Sequence, residues 1–236
     1  MMEKKFKVRL TFKDDVLGTL NPNKEIYKQY IATKNPNNTP EQANMEAECL
    51  PDEDETRPVT TFPRMEVNGE KVPAIFGYVL KGMFKNAASA LAKCDGTISS
   101  NLTAFKKNID QLVFVNTISP IILPDPSVFQ DGMLPIISRP LRAETAQGPR
   151  VALASSEYAP AGSSIEFDIT VLNNEAIFNA VFEWLDYGQY NGIGCWRNSG
   201  KGAFTYEVIE GKELVPDVVG YAAKMPKKKK KAASAE

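Results

Sequence analysis

The sequence predicts an α+β fold with a ferredoxin-like (RRM-like) core, a long insertion before the first core helix and a thumb-like hairpin insertion between the middle strands. Three observations predict it. Residues 4–12 alternate between basic and apolar side chains, as a half-buried strand does. Segments 77–93 and 175–187 repeat apolar residues at helical spacing. Alternation returns at 164–172 and 203–209. With the strand-like 112–123, the core order is strand, helix, strand, strand, helix, strand, the split βαβ pattern.

The elements follow in order. After the first strand, Leu17-Gly18-Thr19 and Asn21-Pro22 read as a turn. Residues 24–33 suit a short helix with Ile26, Tyr30 and Ile31 inward. Residues 35–57 are polar and carry Glu46, Glu48, Asp52, Glu53, Asp54 and Glu55, so a mobile acidic insertion is expected there. Segments 59–67 and 71–75 flank Asn68-Gly69, a hairpin signal. In the helix at 77–93, Leu80, Phe84, Ala88 and Leu91 share one face, and Lys81 and Lys85 project together from another. One or two helical turns are expected at 102–109, then strands at 112–115 and 118–123. Residues 124–163 contain Pro, Gly and Arg and read as a long irregular hairpin, with short extended pieces at 134–138 and 151–153. The helix at 175–187 turns Ile177, Phe178, Val181, Phe182, Trp184 and Leu185 inward. One domain is expected over 1–216, followed by a flexible basic tail at 217–236 with Lys227 to Lys231.

Composition removes several classes of function. The 236 residues carry a net charge of −1, so bulk electrostatics does not argue for nucleic acid, and charge has to be judged by patches. There is no histidine, which excludes a Ser-His-Asp triad, a Cys-His pair and an HExxH zinc site. The three cysteines, Cys49, Cys94 and Cys195, form no CxxC pair, so reduced thiols are expected rather than a zinc ribbon or disulfide framework. Asp110, Asp125 and Asp131 lack a paired-carboxylate spacing. A binding protein without metal or cofactor is therefore expected, not an enzyme. The first residues read as a strand and not a signal peptide, and no apolar run is long enough for a membrane helix. A soluble, cytoplasmic protein is the expectation.

The segment from Gly188 to Phe204 carries most of the functional signal. It places five glycines around Trp196, Arg197, Asn198 and Lys201. Glycine lets backbone N–H groups approach a ligand closely, although such a run also serves plain turns. Arg197 and Lys201 point to an anion, and Trp196 offers a stacking face or a cap on the core. The loop is not a P-loop, because five residues separate Gly194 from Gly200-Lys201 and Gly202 stands where Ser or Thr is needed. It is not a dinucleotide fingerprint either, since it follows a helix. Arg139, Arg142 and Arg150 share one stretch with Pro140, Gly148 and Pro149; they suit phosphate, or a surface pairing with Glu144 or Glu157. The candidate nucleic-acid-binding residues are Lys81, Lys85, Arg139, Arg142, Arg150, Gly194, Trp196, Arg197, Asn198, Gly200, Lys201 and Gly202. The lysine tail adds salt-sensitive affinity or merely solubility.

A glycine-rich loop between the second helix and last strand of such a unit resembles the RAMP superfamily of CRISPR-associated RNA-binding proteins. The residues that carry the resemblance are Gly192-Ile193-Gly194-Cys195-Trp196-Arg197-Asn198-Ser199-Gly200-Lys201-Gly202. Phe76-Gly77-Tyr78-Val79-Leu80-Lys81-Gly82-Met83-Phe84-Lys85 is similar to the family's first-helix opening. Ser156 to Phe167 is similar to the start of its third core strand. The resemblance covers 4–12 and 76–209. It implies binding of single-stranded RNA or DNA, with residues 117–163 as a thumb, in a homo-oligomer or as a subunit of a ribonucleoprotein. The acidic segment 41–56 and the lysine tail depart from the family and suit a phage- or mobile-element-encoded relative. Two other classes stay open: a protein-interaction module that mimics a CRISPR subunit and inhibits an effector, and a metal-dependent RNA nuclease using Asp110 or Asp131.

Overall fold

The computed structural model describes residues 3–34, 40–51, 59–145, 148–172 and 174–216. The fold is α+β, with a mainly antiparallel sheet. Strand β1 (Glu3–Phe12) buries Phe6, Val8, Leu10 and Phe12 and turns Lys5, Lys7, Arg9 and Thr11 to the other face. The short β2 (Val16–Leu17) follows. Helices α1 (Lys24–Lys34) and α2 (Pro40–Glu48) come next. After them run β3 (Val59–Thr60), β4 (Arg64–Val67) and β5 (Glu70–Phe76). Asn68 and Gly69 both take positive φ, 54° and 86°, as a two-residue hairpin turn requires. The first long helix is α3 (Gly77–Leu91), followed by α4 (Phe105–Leu112). Two short strands, β6 (Val113–Val115) and β7 (Ile118–Ile122), lead to a long hairpin of β8 (Ile136–Thr145) and β9 (Gly148–Ala159). The chain closes with β10 (Ser164–Leu172), α5 (Glu175–Asn191) and β11 (Phe204–Glu210). Asn174 caps α5 by accepting the Ile177 N–H at 3.0 Å.

The main sheet has the order β11-β1-β10-β7-β5-β4, with β6 also pairing β10. Leu80 and Phe84 of α3 join Phe178 and Trp184 of α5 and the inward side chains of β1 and β10 in one core. The second sheet is β2-β9-β3, with β8 on β9. A satellite core of Leu20, Tyr27, Ala47, Leu50 and Phe76 lies beneath α1 and α2. The Tyr27 hydroxyl lies 3.2 Å from Glu46 Oε2 and 3.1 Å from the Tyr78 hydroxyl, and burial pushes the pKa of Tyr27 up. Between the two cores lies a cavity of about 300 Å³, open mouth included, lined by Leu17, Leu20, Thr61, Phe76, Val79 and Ile193. The Thr61 hydroxyl is buried without a hydrogen-bond partner.

Four expectations need correction. Within 35–57, read as a mobile insertion, residues 40–48 form α2, because Ala47 has a core to enter; 35–39 and 52–57 lie outside the described residues, as does the 217–236 tail. Helix α1 buries Tyr27 at 2% exposure while Ile26 is 50% exposed, so Tyr27 and not Ile26 faces inward, and the side chains of Tyr30 and Ile31 lie outside those described. The thumb-like segment 117–163 contributes β7 to the main sheet, and the hairpin proper spans 136–159. That hairpin is regular, paired without a break from Ile136↔Glu157 to Thr145↔Gly148. Its prolines read as breaks, yet Pro140 lies in a strand whose only paired neighbour among the described residues is β9, where a missing N–H is tolerated.

Candidate nucleic-acid interface

The glycine loop is built against the connection between β1 and β2. Ile193 is buried and donates to Gly202 O at 3.1 Å, and the Gly202 N–H donates to Asp15 O at 2.8 Å. A Cβ on Gly202 would lie 1.9 Å from Ile193 O, and one on Gly194 would lie 2.7 Å from Leu17 O. Both residues also hold positive φ, 72° and 84°. Gly194 and Gly202 therefore let the loop close on its own scaffold, and the Gly202 N–H has no capacity left for a ligand. Gly200 (φ 83°) faces open space and needs glycine for its backbone conformation alone.

The lysines expected to hold phosphate are engaged elsewhere. Lys201 Nζ sits 2.9 Å from Asp14 Oδ1 and 2.7 Å from Asp15 Oδ2. Its hydrogen bond to Asp15, then the one to Asp14, raises its pKa, and the Lys201 hydrogen bond lowers that of Asp14. Lys85 pairs with Asp110 at 2.6 Å. Lys81 lies over the Phe114 ring at 5.3 Å and reaches Asp110 O at 3.5 Å, and burial pushes its ammonium pKa down. These cations fasten the glycine loop to the β1–β2 connection and α3 to α4.

Arg139 is different. It lies on β8, 9% exposed, with its guanidinium carbon 5.2 Å from the centroid of the Trp196 ring. Its Nε and Nη1 are buried and have no hydrogen-bond partner among the described residues. Trp196 holds φ 60° and remains 37% exposed. The structure thus joins the hairpin to the glycine loop through a stacked Arg–Trp pair. Arg197 and Asn198 follow on an exposed turn, and Arg197 has no carboxylate partner among the described residues. Arg142 and Arg150 are exposed farther along the hairpin, and each has a partner. The pairing weighed for Glu157 goes to Arg64, at 2.5 Å, and not to a hairpin arginine.

Sequence reasoning missed Lys13 and Tyr190. Lys13 Nζ lies 5.7 Å from the centroid of the Tyr190 ring, and Tyr190 is 82% exposed. The available signal was an aromatic in the last turn of α5, off the buried stripe of Trp184, Leu185 and Gly188.

The open face of the main sheet is neutralised. Arg9 meets Glu166 at 2.6 Å and Glu207 at 2.9 Å, Lys7 meets Glu166 at 3.6 Å and Glu210 at 3.7 Å, and Lys5 meets Asp168 at 3.3 Å. An RRM binds bases through aromatics on that face; β1 and β10 present none there. Asp110 is paired with Lys85, Asp125 accepts the Ser127 N–H at 2.9 Å, and Asp131 sits in a turn at φ 51°. No cluster of three metal-ligating side chains occurs among the described residues, and no described helix is long and apolar enough to cross a membrane.

Solved structures that resemble the chain include two from CRISPR complexes. A chain of the Type III-B Cmr-beta complex bound to cognate target RNA aligns at 13% identity with TM-score 0.44, covering 89% of this chain and 61% of that one, under two thirds of its length. A chain of a Type IV-B CRISPR complex aligns at 11% identity with TM-score 0.45, covering 87% of this chain and 90% of that one. No family model and no curated protein matches.

Proposed function

We propose that the chain binds single-stranded nucleic acid, RNA before DNA, where the β8–β9 hairpin meets the glycine loop. Binding is non-catalytic, and the chain serves as a repeating subunit of a ribonucleoprotein of the CRISPR-effector kind. The carrying observation is Arg139, a buried guanidinium with two donors unpartnered. A buried donor left without an acceptor costs about 1–3 kcal/mol, so a ligand that supplies acceptors there gains what the free protein lacks. Trp196 beside it suits a base, and Arg197 and Asn198 suit the backbone. The strand order β11-β1-β10-β7, with α3 and α5 as its two long helices, supports reading the core as ferredoxin-like. The order of the three motifs supports a RAMP-type subunit.

Fluorescence anisotropy of labelled single-stranded RNA and DNA over a salt series tests the reading, on the full chain and on a chain ending at Met225. Binding that survives tail removal and falls in Arg139→Ala supports it. Binding that vanishes with the tail overturns it, and the protein-interaction reading then leads.

A further inference from the structure

The geometry points to a second nucleotide subsite beside the glycine loop, where the Tyr190 ring takes an unpaired base and the Lys13 ammonium takes the adjacent phosphate. It rests on the single-strand reading above. It adds a cation–aromatic couple to the Arg139–Trp196 couple, so that the segment from Gly188 to Phe204 supplies an aromatic for each of two nucleotides.

Tyr190 is the most exposed large apolar side chain among the described residues, at 82%. Its position is nonetheless fixed. It lies in the last turn of α5, which closes with the Gly192 N–H on Gly188 O at 2.8 Å. A ring that buries almost nothing in its own fold is free to stack, and stacking on a fixed helix end orders little besides the ligand.

Lys13 has no carboxylate partner among the described residues. Its backbone N–H donates to Ala203 O at 2.8 Å, which ties it to the exit of the glycine loop. The acids that could have captured it are committed. Asp14 and Asp15 both turn onto Lys201. Asp186, one helical turn before Tyr190, accepts from the Tyr206 hydroxyl at 2.9 Å and from Gln189 Nε2 at 3.5 Å. Lys201 therefore acts at this subsite without touching the ligand: it holds two carboxylates away from Lys13.

Anisotropy with a short oligouridylate, on the full chain across a salt series, tests the inference. Tyr190→Ala is expected to weaken binding about tenfold with the salt slope unchanged. Tyr190→Phe keeps the affinity. Lys13→Met reduces the slope of log affinity against log salt by about 0.7, the value of one single-strand phosphate contact. A wild-type chain that binds while Tyr190→Ala binds equally well overturns the subsite and leaves the single-strand reading standing. Equal changes of slope in both variants overturn the division of roles. A wild-type chain that binds no single strand takes down both readings.

Discussion

Two arginines are buried among the described residues, Arg64 on β4 at 7% exposure and Arg139 on β8 at 9%. Each lies over an aromatic ring, Phe129 at 5.3 Å and Trp196 at 5.2 Å. Arg64 is satisfied. It reaches Glu157 Oε1 at 2.5 Å, Phe62 O at 2.9 Å and Gly132 O at 3.1 Å. Glu157 in turn accepts the Phe62 N–H at 3.1 Å and the Leu134 N–H at 3.3 Å. This closed network holds the root of the hairpin to β4. Arg139, three residues into β8, has Nε and Nη1 empty. Burial of a cation therefore does not set the two apart; the unfilled donors of Arg139 do.

Glu157→Gln strikes the closed network and leaves Arg64 buried without its counter-charge. It is expected to cost about 3–5 kcal/mol in urea unfolding. A cost near zero would make the two arginines equivalent and remove the contrast.

Arg139→Met should separate affinity from stability. Losing hydrogen bonds to charged acceptors should weaken single-strand binding by about 1.5–3 kcal/mol. Removing a buried cation with two unfilled donors should leave stability unchanged or raise it by about 1 kcal/mol, about 2–4 °C in Tm. Calorimetry and anisotropy on one preparation give both numbers. A Tm drop as large as that of Glu157→Gln would place Arg139 in the structural class.

Trp196→Ala should cost about 1–3 kcal/mol of binding for the one base it stacks, with little change in Tm. Equal affinity for an oligomer abasic at every position would show that no stacking occurs.

The smallest effect concerns Lys201→Met, which should leave the salt slope of binding unaltered because Lys201 meets acids and not phosphate. Its mark is on acid stability. Asp14 titrates below its ordinary value because of Lys201 and then the Asp15 N–H, so the native state binds fewer protons than the unfolded state. That stabilisation is present above about pH 4 and is lost as pH falls through the lower native value. Wild type and Lys201→Met should differ at neutral pH and converge in acid. A constant difference across that range would mean that Lys201 acts through packing.

Local pattern was readable and long-range pairing was not. The alternation of β1 and β10, the Asn68-Gly69 turn and the buried faces of α3 and α5 are written at spacings of two to four residues. Lys201 and its partner Asp14 are 187 positions apart, so nothing near the glycine loop announces that this lysine is occupied. Arg139 was singled out as part of an irregular stretch, whereas a regular strand carries it into the protein. In α1 the expectation chose Ile26 over Tyr27 because Ile26 is the more hydrophobic, while Tyr27 has hydroxyl partners at Glu46 and Tyr78 that sequence spacing does not reveal.

The cavity between the two cores has a mechanical consequence. Leu20, Phe76 and Val79 line it and also belong to the satellite core or pack against it, so the pocket runs along the seam between α1–α2 and the main body. The pocket opens to solvent at its mouth, so the α1–α2 unit is wetted along the line where it meets the body, and local opening starts where buried apolar contacts are fewest. Amide exchange should therefore be faster over α1 and α2 than over β1 and β10, the two short helices coming away while the main sheet holds.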